Sequence, residues 1–61
     1  MRKYLADYDD GHDFGTFEFY SEHRANSKAN IEDAKSEARK RYGHARAARI
    51  EILSTVRWDV I

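Results

Sequence analysis

Tyr4-Leu5-Ala6-Asp7-Tyr8-Asp9-Asp10-Gly11-His12-Asp13-Phe14-Gly15-Thr16-Phe17-Glu18-Phe19 is the stretch on which the fold turns. Asp-Gly between two segments of alternating character is a strong hairpin signal, because a two-residue type I′ turn needs positive φ at both central positions. A turn centred on Asp10-Gly11 sets Tyr4 opposite Phe17, Lys3 opposite Glu18 and Leu5 opposite Thr16. Tyr4, Ala6 and Tyr8 then share one face with Phe17 and Phe19, and Lys3 and Glu18 form an opposite-charge pair on the other. A slip of one residue would bring Lys3 and Asp7 beside the phenylalanines. Strands are therefore predicted at about 2–8 and 14–22, with a bulge at Gly15 or a longer loop left open.

From Ala25 onward the apolar period changes from two to 3.6, and Ile31, Ala34, Ala38 and Tyr42 fall on one stripe of a helix. Asn26 or Ser27 caps its start by accepting from an unpaired backbone N–H. Gly43 ends it in a left-handed conformation. Glu32 and Asp33 lie near the start and Arg39, Lys40 and Arg41 at the finish, an order that suits the helix dipole. The helix is predicted at about 28–42. Beyond it, Ile50, Ile52, Val56, Trp58 and Val60 alternate on one side of a third strand at about 48–60. A right-handed crossover places that strand beside the first and antiparallel to it. The predicted fold is α+β: ββαβ, a three-stranded antiparallel sheet in the order 2-1-3 with one helix packed on one face. The other face, with Lys3, Leu5, Thr16, Glu18, Tyr20, Glu51, Leu53, Thr55 and Arg57, is mixed and suited to water.

Size and composition agree with one small domain spanning residues 1–61. A chain of 61 residues removes only about 60% of its unfolded surface from water, so its core is thin. Mean hydropathy is -0.91, polar for a folded domain, but the aromatic and β-branched content is too high for disorder. Cysteine is absent, which excludes disulfides and thiolate metal sites and points to a cytoplasmic, reducing setting. The N-terminal residues lack the apolar run of a signal peptide, and no stretch reaches the length of a membrane span.

The eleven basic and eleven acidic residues cancel in number but not in place. Residues 1–22 hold Arg2 and Lys3 against Asp7, Asp9, Asp10, Asp13, Glu18 and Glu22. Residues 35–49 hold Lys35, Arg39, Lys40, Arg41, Arg46 and Arg49 against Glu37. The basic end either contacts phosphates, with Tyr20 and Tyr42 as stacking surfaces, or meets an acidic protein, or is a solvated helix face that complements its own dipole. Zero net charge and the lack of a nucleic-acid motif weigh against the first.

The third strand is longer than its neighbour, so Thr55 to Ile61 is expected to lack a partner within the chain. An open edge carrying Val56, Trp58, Val60 and Ile61 recruits another strand, from a second copy or another protein; bending or fraying of the strand is the alternative. The acidic turn resembles a calcium loop in its carboxylate spacing, but Gly11 falls one place early and the flanks are strands. His12, His23 and His44 form no ligand pair. No nucleophile elbow, phosphate-cradling glycine loop or cofactor motif is present, and a thin sheet leaves little room for an enzymatic pocket. The expectation is a non-catalytic module without cofactor or metal that binds a protein partner and forms a homodimer, with nucleic-acid binding as the rival. Its size, lack of cysteine and ββαβ plan are generically similar to accessory or inhibitor proteins of phages and plasmids.

Overall fold

The structure is a computed structural model that describes residues 1–58. Strands β1 (Arg2–Asp9) and β2 (Phe14–Ser21) form the hairpin. Helix α1 (Lys28–Tyr42), a short helix α2 (His44–Ala47) and strand β3 (Glu51–Arg57) follow. The sheet order is β2-β1-β3 and both pairings are antiparallel, as the pattern predicts.

The hairpin register differs from the expected one by two residues: Tyr4 lies opposite Phe19 and Ala6 opposite Phe17. A type I′ turn on Asp10-Gly11 would force positive φ on Asp10, and among the described residues only Gly11 (φ 92°), Asn26 (φ 64°) and Gly43 (φ 86°) adopt it. Asp10 instead uses its carboxylate, accepting from the N–H groups of His12 (2.9 Å) and Asp13 (2.8 Å). The turn is thus centred on Gly11-His12. A two-residue shift preserves facing, so the buried set is unchanged. Lys3 and Glu18 still meet at 3.2 Å, now diagonally.

Tyr4, Ala6, Tyr8, Phe17 and Phe19 pack beneath Ala34 and Ala38 of α1, joined by Ile50 and Ile52. The alanines let the helix approach, and the rings fill the space: Tyr4 stacks on Phe19 at 5.5 Å, and Tyr42 closes on Tyr8 and Phe17 at 6.0 and 6.2 Å. Gly15 sits opposite Tyr8. A Cβ there would lie 2.6 Å from Cζ of that ring, so the close approach demands glycine.

Ser27 caps α1, accepting from the Asn30 N–H at 3.2 Å. The first turn of α1 carries no acid. Glu32 and Asp33 fall in the second turn, where the Ser21 hydroxyl donates to Asp33 at 2.6 Å, so only the basic finish complements the dipole. Gly43 has positive φ but ψ 163°, outside the left-handed helical region, and leads into α2.

The predicted third strand is corrected at its start and in the facing of its second half. Residues 48–50 are not strand, because His44-Ala45-Arg46-Ala47, rich in helix formers, winds into α2. In β3 a β-bulge separates Ile52, opposite Tyr8, from Ser54, opposite Asp7, and leaves Leu53 as the extra residue. Beyond it the facing inverts. Thr55 is buried, whereas Val56 and Trp58 are about half exposed (52% and 51%), not on the side of Ile50 and Ile52. Thr55, Val56 and Arg57 lie opposite Ala6, Leu5 and Tyr4, and the Trp58 N–H donates to the Lys3 carbonyl at 2.9 Å. The stretch expected to lack a partner is paired as far as Trp58; Val60 and Ile61 lie outside the described residues.

Candidate functional site

The helices lie on one face of the sheet, and among the described residues the other face is bare. Its side chains follow from the pairings as cross-strand rows: Tyr20, Lys3 and Trp58; Glu18, Leu5 and Val56; Thr16, Asp7 and Ser54; Phe14, Asp9 and Glu51. Leu53, pushed out by the bulge, joins them. The exposed apolar residues of this face are Phe14 (78%), Tyr20 (59%), Leu53 (49%), Val56 and Trp58. Phe14 and Leu53 flank a shallow depression completed by Asp7, Tyr8, Gly15 and Thr16.

On each sheet edge a side chain covers one outward-facing backbone group. The Trp58-to-Lys3 bond shows that odd-numbered residues of β1 bond toward β3, so even-numbered ones bond toward β2. The backbone groups of Glu18 on β2 and Thr55 on β3 therefore turn outward. Arg41 Nη2 donates to the Glu18 carbonyl at 3.0 Å, and the Thr55 N–H donates to Asn26 Oδ1 at 2.8 Å. Covering edge groups in this way discourages strand addition.

The cap on β3 belongs to a buried polar cluster. Asn26 donates its N–H to Thr55 Oγ1 at 2.8 Å. The Thr55 hydroxyl donates to Asn30 Oδ1 at 2.6 Å, and Asn30 Nδ2 donates to the His23 carbonyl, which also accepts from the Tyr4 hydroxyl. Among the described residues no buried side-chain polar atom lacks a partner. Sequence reasoning missed this cluster. Its signal was Asn30 at the head of the Asn30-Ala34-Ala38 stripe, a polar residue on the packed side of a helix.

The basic end is only partly assembled. Arg41 leaves it for the β2 edge, pairing with Glu37 at 2.9 Å, and Arg46 lies over the Tyr42 ring at 4.9 Å. Arg39, Lys40 and Arg49 are exposed and Lys35 half-buried; among the described residues none of them forms an ion pair.

Among the described residues two groups are shifted from their ordinary values, and structural bonds explain both. The Tyr8 phenol is raised, first by its hydrogen bond with Tyr42 and then by burial. Asp10 is lowered by the backbone N–H groups of Asp13 and His12. Ser21 accepts from the His23 backbone N–H at 3.0 Å, a loop bond rather than a nucleophile-base contact. Among the described residues no three His, Cys, Asp or Glu side chains are placed to hold a metal ion, and no helix is long and apolar enough to cross a membrane. Comparison of the chain with protein-family models, curated proteins and solved structures finds no match.

Proposed function

We propose that this chain is a small non-catalytic interaction module, of the accessory or inhibitor kind found in phages and plasmids, that holds a protein partner on the bare face of its sheet. The observation that carries the proposal is the contiguous exposure of Tyr20, Val56, Trp58 and Leu53 around the half-buried Leu5, with one backbone group covered by a side chain on each neighbouring edge. Exposed apolar patches rimmed by polar residues mark docking sites. Val56 and Trp58 remain the proposed contacts, through the face rather than an open edge; the proposed contribution of Val60 and Ile61 falls outside the described residues. The absence of cysteine supports a cytoplasmic setting. The test is affinity capture with the intact chain and with a Tyr20→Ser, Val56→Ser double variant, alongside sedimentation. Loss of capture by a folded double variant supports the reading; unchanged capture overturns it. A homodimer would appear as a concentration-dependent mass that the same two substitutions abolish.

A second reading rests on the exposure of Arg39, Lys40 and Arg49 without carboxylate partners among the described residues. These cations, with Lys35, Arg46 and Arg41, would contact nucleic-acid phosphates. Such binding weakens by about 0.9 log units per duplex phosphate contact for each tenfold rise in salt. A gel shift at low salt that Arg39→Ala and Lys40→Ala abolish would support it.

A further inference from the structure

We infer that the bare sheet face takes a partner segment that is both apolar and basic, such as the apolar side of a lysine- or arginine-rich helix. This rests on the face being the binding surface. Size sets the first limit. Strands of seven or eight residues at about 3.3 Å per residue and three strands at about 4.8 Å spacing make a platform of up to roughly 26 Å by 14 Å. One helix of four to five turns, about 10 Å across, covers it.

Charge sets the second. The face carries Lys3 against Glu18, Asp7, Asp9 and Glu51. Lys3 is already engaged by Glu18 at 3.2 Å, and no cation among the described residues pairs with the other three carboxylates. Asp9 and Glu51 are moreover direct cross-strand neighbours, an arrangement of like charges that destabilises a sheet. Asp9 also closes the hairpin turn, accepting from the Gly11 N–H at 2.8 Å, but no cation among the described residues neutralises the pair, whereas a cationic partner relieves it. Electrostatic complementarity of this kind sets specificity and speeds encounter.

The same charges decide against other occupants. A second copy docked face to face about an axis along the strands would bring these carboxylates against themselves, and about an axis across the strands would set them against a Lys3 already engaged by Glu18. A nucleic acid would meet three carboxylates without a cation partner among the described residues, and Lys3, the cation between Tyr20 and Trp58, is already engaged by Glu18. The chain's own basic residues do not serve, since α1 and α2 lie behind the sheet.

The test uses the full chain and two synthetic amphipathic helical peptides with identical leucine stripes, one with lysine and one with glutamate on the polar side. The expected result is a shift of the single tryptophan's emission and amide shifts confined to Leu5, Tyr20, Leu53, Val56 and Trp58, with the lysine peptide alone. Glu51→Gln should weaken that binding about threefold, as expected for one surface charge, while raising or preserving the unfolding midpoint. Val56→Ser should weaken it further without unfolding the chain. Equal binding of the glutamate peptide, or a dimer whose contacts map to the face, would overturn the basic-partner inference and leave the module reading standing. Shifts that map to α1 and α2, with the face silent to both peptides, would overturn the two together.

Discussion

Thr55 shows how much one side chain can hold. Its N–H, hydroxyl hydrogen and hydroxyl oxygen each have a separate partner in the β2–α1 connection or α1. Thr55→Val keeps the volume but strands the Asn26 N–H and removes a donor to the buried Asn30. Leaving such groups unsatisfied should cost about 2 kcal/mol, read as a lower urea midpoint with unchanged m-value. Asp10 offers a second check. Its folded value lies below its ordinary one, so its contribution is present above the ordinary carboxylate range and lost as pH falls through the folded value. Carboxyl titration by NMR should give Asp10 the depressed midpoint, and in Asp10→Ala the His12 and Asp13 amides should exchange faster at neutral pH.

Strand β3 separates what patterning can reveal from what it cannot. Alternation locates a strand, but one inserted residue inverts every side chain beyond it. Nothing local in Ile52-Leu53-Ser54-Thr55 announces which residue is extra. The choice is made by Asn26 and Asn30, which meet the Thr55 hydroxyl on the core side. Deleting Leu53 should therefore join Ile52 to Ser54 in a continuous ladder and keep cooperative unfolding. Deleting Val56, by contrast, turns Arg57 outward and Trp58 inward and should abolish a single sharp transition. Helix α1 stood at the opposite extreme. Its cap at Ser27, alanine stripe and terminal glycine all lie within its own sequence, and the helix occupies the 28–42 span these signals predict.

Among the described residues the molecule is a two-layer structure with one sheet face covered, one backbone group guarded on each edge and one face free. The guard on β2 is a single guanidinium: Arg41, tied to Glu37, reaches the Glu18 carbonyl. Arg41→Ala should uncover that acceptor and promote association through β2, seen as a rising sedimentation coefficient across a concentration series in which the parent chain does not change. The exposed face was half legible beforehand. Leu5, Tyr20 and Leu53 are placed on the outer side by simple alternation, while Val56 and Trp58 reach it only through the bulge. Local patterning dictates the hairpin faces, the helix and the strand order, because each depends on periodicity, capping or chain handedness within a short span. The turn centre, the phase of β3 beyond Leu53 and the composition of the exposed face are decided only by packing, because each depends on which distant polar group must be satisfied when the layers close.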